Sequence, residues 1–152
     1  MCSAWQAVNY IFMDHRPVVL FLFLIGCQNT GTVKLEVADV VGVWHADSLY
    51  SYENGFELTR PYVDTGPTYT YTESGKVSEE KNRLKREFLY EIQGLDSLVL
   101  KTPYGDTAAL YQVLQISQTN MALKKSKKPW MRGKNQEMYT ILYLSKREED
   151  LK

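Results

Sequence analysis

Only two of the 152 residues are cysteines, Cys2 and Cys27, and both lie near the start of the chain. The rest of the sequence therefore has no pair of thiols for an internal disulfide and no thiolate cluster for a metal. Histidine is equally scarce, since His45 is the single one after Cys27. Metal sites built on histidine or cysteine and Cys–His nucleophile pairs are thus excluded there. We predict no metal and no cofactor.

Net charge is also missing, because 18 basic residues balance 18 acidic ones. No long-range field therefore favours nucleic acid as a partner. The chain has no glycine-rich phosphate loop and no dinucleotide fingerprint. The acidic runs Glu79-Glu80 and Glu148-Glu149-Asp150 lie in a predicted loop and a tail, where charges are usually solvated. We predict that the protein is not an enzyme, and catalysis by two carboxylates that meet in the fold stays an open alternative.

One long apolar run is present near the start, Val18 to Ile25, which is followed directly by Gly26-Cys27. It is too short to cross a bilayer as a helix, which takes about 20 residues. Arg16 precedes the run, and a polar stretch follows Cys27 at once. A charged flank, a short apolar core and a small residue are the order of a secretory signal peptide. The alternative is that the run is a buried strand of the fold.

The residues Leu24-Ile25-Gly26-Cys27 resemble the lipobox of bacterial lipoproteins. The resemblance implies that the Cys27 thiol receives a diacylglyceryl group and that cleavage leaves Cys27 as the first residue. It implies a signal peptide over 1–26, of which 1–12 are untranslated if Met13 is the start. Residues 27–36 are then a lipid-modified terminus and flexible spacer. The expected location is the bacterial cell envelope, anchored in the outer membrane.

From about residue 37 the sequence alternates apolar and polar residues in short segments, and turn residues such as Asn54-Gly55 interrupt them. Period-two alternation with regular turns is typical of antiparallel β-sheets. An eight-stranded sheet that closes into a barrel removes its exposed edges. We predict an all-β fold with strands at roughly 42–51, 55–60, 67–73, 85–93, 97–102, 108–117, 120–126 and 136–146.

The segment 78–92 has two interpretations. Leu84, Phe88 and Ile92 recur every four residues, as in an amphipathic helix. The period-two pattern over 85–93 predicts a strand instead. We favour a polar loop through about Asn82 followed by that strand.

Gly42-Val43-Trp44 at the start of the first predicted strand resembles the Gly-x-Trp signature of lipocalins. The resemblance implies a helical turn over 37–41, a tryptophan that plugs the closed end of the barrel, and Arg147 packed across that tryptophan. The chain after Cys27 thus resembles the lipocalin-like lipoproteins of Bacteroidetes-type bacteria. The implied fold is an antiparallel up-and-down barrel over 37–148, with a polar tail at 149–152.

A basic stretch is the strongest local charge feature and is a candidate surface for partner contact; its residues are Lys124, Lys125, Lys127, Lys128, Trp130 and Arg132. Such a stretch fits anionic lipid headgroups, an acidic envelope protein or a glycan. The alternative is a solvated hairpin connection whose lysines prevent edge pairing.

Tyrosines recur along the predicted strands. Facing inward, they would line a cavity with apolar rings and polar tips, which suits a small amphipathic ligand. Facing outward, they are cross-strand pairs. We predict a lipid-anchored envelope protein whose barrel binds a small apolar or amphipathic ligand. The alternative is a filled barrel that serves as an interaction or structural lipoprotein.

Overall fold

The computed structural model describes residues 34–129, 136–147 and 150. The predictions for the signal peptide, the start at Met13 and the lipid attachment at Cys27 lie outside these residues, as do Trp130 and Arg132. No helix in the described ranges is long and apolar enough to span a membrane.

The described chain is nearly all β-structure, which confirms the predicted fold class. One short helix precedes nine strands: α1 Val37–Val40, β1 Gly42–Glu53, β2 Phe56–Pro61, β3 Thr68–Tyr71, β4 Lys76–Lys81, β5 Leu84–Gln93, β6 Ser97–Lys101, β7 Thr107–Ile116, β8 Asn120–Ser126 and β9 Met138–Ser145. Each strand pairs antiparallel with the next from β3 to β9, and β1 pairs with both β3 and β9. Eight strands thereby form a closed antiparallel barrel, and β2 is an additional strand.

The additional strand shares one edge of β1 with β3. The upper half of β1 pairs with β2, from Ser48 opposite Pro61 to Glu53 opposite Phe56. The lower half pairs with β3, from Gly42 to His45. The loop 62–67 connects the two partner strands, and backbone hydrogen bonds hold it against β1 at Asp47 and Ala46. The β1–β2 hairpin therefore extends the barrel wall at one end.

Residues 76–81 form β4, so the expected polar loop through Asn82 and the alternative helix over 78–92 are both wrong. Asn82 and Arg83 have φ angles of 51° and 65°, the left-handed conformation that a two-residue hairpin turn requires. Val77 is the one buried side chain of β4, which leaves that strand without an apolar alternation. Leu84, Phe88 and Ile92 are four residues apart. Every second residue of a strand shares a face, so this spacing also places all three on one face of β5.

A β-bulge in β7 changes which side chains face the core. Tyr111 and Val113 face inward, whereas Leu110 and Leu114 are exposed. The pairing with β8 shifts by one residue between Val113 and Gln115, and Ile116 therefore packs against the core. The period-two pattern of the sequence predicts that Ile116 shares a face with Leu110 and Leu114. The bulge makes this prediction wrong.

Candidate functional site

Helix α1 packs beside Trp44 at one end of the barrel, here called the Trp44 end. Trp44 is fully buried, and its indole Nε1 donates a hydrogen bond to the carbonyl oxygen of Val40 at 2.7 Å. Leu35 and Val40 are buried in the same core cluster. The Leu35 amide donates to the carbonyl oxygen of Leu95. Packing at this end therefore begins at or before Leu35, which lies within the predicted spacer.

A lysine lies over the tryptophan at this end. The Lys146 Nζ is 4.5 Å from the centre of the Trp44 ring and donates a hydrogen bond to the Val41 carbonyl oxygen. Arg147, which the lipocalin resemblance placed on Trp44, is exposed, and its backbone amide donates to the Asp150 carboxylate. The contact of Arg147 with Trp44 stays a prediction. Gly42 approaches Lys146 so closely that a β-carbon there would lie 2.9 Å from Nζ.

Tyrosines line the middle of the barrel interior. Tyr71 and Tyr90 pack edge to face with their ring centres 5.2 Å apart, and the Tyr69 hydroxyl donates to the Glu79 carboxylate at 3.2 Å. Burial raises the pKa of Tyr69, Tyr71 and Tyr111, and the negative charge of Glu79 raises all three further. The hydroxyls of these three tyrosines therefore stay protonated and act as neutral polar groups.

Other tyrosines face outward, as the alternation along β1 and β9 requires. Tyr52 and Tyr139 stack with their ring centres 5.1 Å apart, and Tyr50 lies beside Tyr139. Tyr143 is exposed on the same strand. The tyrosines are therefore divided between a lining of the interior and cross-strand pairs on the outer surface.

A groove of about 520 Å³ lies at the barrel end opposite Trp44, on the concave side of the β1–β2 hairpin. We call it the mouth groove, and its lining residues are Leu49, Ser51, Glu53, Phe56, Glu57, Leu58, Arg60, Lys127 and Thr140. Leu49 packs against the core cluster, which identifies this side of β1 as the inner one. The groove is therefore continuous with the interior face of the barrel.

Strand β2 supplies two apolar side chains and one cation to the mouth groove. In the β1–β2 register, Phe56 lies opposite Glu53, Leu58 opposite Ser51 and Arg60 opposite Leu49. Residues at every second position share a face of a strand, so these three side chains form one row. Phe56 and Leu58 are large apolar residues that are 82% and 58% exposed. The row therefore presents unpacked apolar surface in a concave site.

The basic residues in the mouth groove, Arg60 and Lys127, and the neighbouring Lys125 differ in their partners. Lys127 forms an ion pair with Glu53, with 2.8 Å between Nζ and Oε1. Lys125 lies with its Nζ 5.7 Å from the centre of the Tyr111 ring, inside the barrel. Arg60 makes no ion pair and no side-chain hydrogen bond with any residue that the structure describes. One uncompensated guanidinium thus lies beside the apolar row.

The predicted basic surface divides between two faces of β8. Lys124 faces outward, with its Nζ 4.1 Å from the centre of the Tyr139 ring, whereas Lys125 and Lys127 face the interior. Lys128 is exposed beyond the strand. The four described lysines therefore do not form one continuous basic face.

Two further grooves lie on the β4–β5 hairpin. One of about 220 Å³ is on its inner side and is lined by Glu79, Lys81, Asn82, Leu84 and Arg86. The other, of about 490 Å³, is on the outer side of β3–β5 among Thr70, Ser78, Glu87 and Leu89. Val77 and Phe88, which belong to or pack against the core, also line the larger of these two grooves.

His45 lies outside the barrel interior. Its Nε2 is 2.9 Å from the Asp150 carboxylate and its Nδ1 is 3.2 Å from the Thr68 hydroxyl, so it links β1 to the C-terminal tail. In the described part of the chain, no group of three or more His, Cys, Asp or Glu side chains could hold a metal ion.

Sequence reasoning missed the residues that define the mouth groove on β2. The alternation Phe56-x-Leu58-x-Arg60 was present in the sequence, but it does not show that β2 lies beside a gap in the wall. Neither the known protein-family models nor the curated proteins with which the chain was compared match it.

Proposed function

We propose that the protein is a lipid-anchored envelope protein whose barrel binds one small apolar or amphipathic ligand in the mouth groove. The observation that carries the proposal is the exposure of Phe56 and Leu58 side by side in a concave site. Exposed apolar side chains that cluster in a groove are typical of ligand sites. Covering each of them with ligand would contribute about 1.5–3 kcal/mol.

The filled lower barrel supports the mouth groove as the place of binding. Trp44, Leu98, Met121, Leu123 and Leu144 are all fully buried, so side chains occupy the interior toward the Trp44 end. Tyr69 and Tyr111 pack against this core, and the Tyr69 hydroxyl donates a hydrogen bond to Glu79. A ligand in the mouth groove would contact the apolar side chains of Phe56 and Leu58 and the hydroxyl groups of Ser51 and Thr140.

The membrane anchor in this proposal rests on the lipobox at Leu24–Cys27. A lipoprotein modification supplies several acyl chains, and each buried methylene contributes about 0.8 kcal/mol to membrane binding. A spacer before Leu35 would then separate the barrel from the bilayer. The groove would collect its ligand in the envelope while the acyl chains hold the protein there.

A second function is favoured by the same filled interior. A barrel whose lower half is solid protein has no deep cavity there, which is expected of an interaction or structural lipoprotein. In that case Phe56 and Leu58 would contact an envelope protein instead of a small molecule. Saturable binding of a small probe separates the two functions.

The ligand site is tested with the full chain carrying Cys27→Ser, which removes the lipid acceptor and the need for detergent. N-Phenyl-1-naphthylamine, a neutral apolar dye, is titrated and its fluorescence measured. We expect saturable binding of one dye per chain. The double variant Phe56→Ser with Leu58→Ser should weaken binding at least tenfold, because both apolar walls are removed.

The matched control is Leu110→Ser, since Leu110 is exposed to a similar degree but lies on the outer face of β7. This variant should bind the dye as tightly as the parent chain. Dye binding that does not saturate, or that is unchanged in the double variant, would contradict a ligand site in the mouth groove and favour the interaction function.

The anchor is tested separately by incorporation of radiolabelled palmitate into the protein in bacterial cells. We expect label in the natural sequence and none in Cys27→Ser. If neither protein incorporates label, the lipid anchor is excluded. The dye titration then still tests the ligand site independently.

A further inference from the structure

Arg60 is placed to meet one end of a ligand that lies along β2. It shares a face with Leu58 and Phe56, and it is the member of this row nearest the barrel interior, opposite Leu49. At about 3.4 Å per residue, the row from Phe56 to Arg60 extends about 14 Å. An apolar surface that ends in a cation at its inner end matches a molecule with an apolar body and one anionic group.

The charge of Arg60 is not compensated by the acids of the groove. Glu53 is paired with Lys127, and Glu57, which also lines the groove, has its carboxylate hydrogen-bonded to Tyr50. Glu79 accepts a hydrogen bond from Tyr69. The ammonium group of Lys125 adds a second positive charge on the interior face. Among the described residues, Arg60 is therefore the cation of the groove lining that has no carboxylate partner.

We infer that Arg60 binds the carboxylate of a small amphipathic acid, with the apolar part of the acid against Leu58 and Phe56. This inference rests on the proposed ligand site. A guanidinium offers two parallel N–H donors that match the two oxygens of a carboxylate. A ligand that covers Phe56 and Leu58 would exclude water from the groove and thereby strengthen that contact. We expect the carboxylate to point toward Leu49, because Arg60 is opposite Leu49 in the β1–β2 register.

The test compares three ligands that share a ten-carbon chain: decanoate, decanol and decyltrimethylammonium. Each competes with N-phenyl-1-naphthylamine for the Cys27→Ser chain at pH 7.5, below the critical micelle concentration. We expect the inhibition constant of decanoate to be at least tenfold lower than that of decanol. The cationic compound should have the highest inhibition constant of the three. Raising the salt concentration should weaken decanoate alone, because salt screens the contact with Arg60.

Variants then assign the preference to Arg60. Arg60→Gln should remove the tenfold advantage of decanoate and leave decanol unchanged, so retained decanol binding also shows that the variant is folded. Arg60→Lys should recover part of the advantage, since a single ammonium lacks the two-donor geometry. Lys124→Gln is the matched control, because Lys124 faces outward on the neighbouring part of the wall.

The outcomes separate this inference from the ligand site itself. Two results would overturn the role of Arg60 while the groove still binds. One is equal displacement of the dye by decanoate and decanol in the parent chain, and the other is a preference for decanoate that is unchanged in Arg60→Gln. If the dye does not bind in a saturable way, the proposed ligand site fails first.

Discussion

Lys146, the first residue after β9, is stacked on Trp44 near the start of β1. Its Nζ lies 4.5 Å from the ring centre and 3.0 Å from the Val41 carbonyl oxygen. A cation over an indole is stabilised by the negative face of the ring, and the hydrogen bond satisfies a carbonyl next to helix α1. The last strand is thereby joined to the first at the Trp44 end, where the barrel closes.

We expect Lys146→Met to lower the free energy of unfolding by about 1–2 kcal/mol, because both the cation–π contact and a charged hydrogen bond are lost. Arg147→Met is the comparison, since Arg147 is exposed. Its effect should be smaller. Urea unfolding followed by tryptophan fluorescence measures both. A larger loss for Arg147→Met would assign the contact on Trp44 to Arg147, as the lipocalin resemblance implies.

The turn between β4 and β5 gives a prediction of increased stability. Arg83 has a φ of 65°, a conformation that costs a residue with a β-carbon roughly 1 kcal/mol. Arg83→Gly should therefore raise the free energy of unfolding by about 0.5–1 kcal/mol, seen as a higher melting temperature. Arg83→Ala is the control, because it removes the same charge and keeps the β-carbon. Equal gains in both variants would attribute the effect to charge instead of backbone strain.

This turn also shows where sequence reasoning reached its limit. Most strands were predictable from alternation of apolar and polar residues, as in β5, where Phe88, Tyr90 and Ile92 alternate with mostly polar residues. In β4 a single buried residue, Val77, carries that signal, and the other positions are polar on both faces. The Asn82-Arg83 pair lacks the glycine that usually marks such a turn. Nothing local therefore distinguished this hairpin from a polar loop.

The candidate site was hidden for a different reason. The sequence shows that Phe56, Leu58 and Arg60 share a face of a strand, but the inner side of that strand is fixed by β1, through Leu49 and the core. The lysines of β8 were hidden in the same way. Alternation separates them into two faces, but only the burial of Leu123 shows which face is the inner one. Pairing across the barrel decides both, and it is not a local property of the chain.

The interior tyrosines predict how stability changes at high pH. Burial raises the pKa of Tyr71 above its ordinary value of about 10, which the unfolded chain retains. Above pH 10 the unfolded state therefore loses this proton while the folded state keeps it, and stability falls as pH rises. The loss is about 1.4 kcal/mol per pH unit for each such tyrosine well above pH 10.

Urea unfolding between pH 8 and pH 11.5 measures this dependence. Tyr71→Phe should make the decline with pH less steep, whatever its effect at pH 8, because one linked proton is removed. Tyr104→Phe is the control, since Tyr104 is 93% exposed and should leave the slope unchanged. An identical slope in the parent chain and Tyr71→Phe would show that Tyr71 is not linked to unfolding.

The loop between β2 and β3 depends on Gly66. A β-carbon at this position would overlap the carbonyl oxygen of Ala46 and crowd the side chain of Tyr62. Because that oxygen belongs to the backbone of β1, it cannot move without disturbing the sheet. We expect Gly66→Ala to lower the free energy of unfolding by more than about 2 kcal/mol, within the range of severe packing errors.

Gly94→Ala is the comparison, because a β-carbon there meets no atom within 4 Å although φ is +66°. Its cost should be limited to backbone strain of roughly 1 kcal/mol. The loop also positions β2, so Gly66→Ala should weaken dye binding in the mouth groove as well as stability. A variant at Gly66 that is as stable as Gly94→Ala would show that the loop can move away from β1, and that β2 is not held in place by this contact.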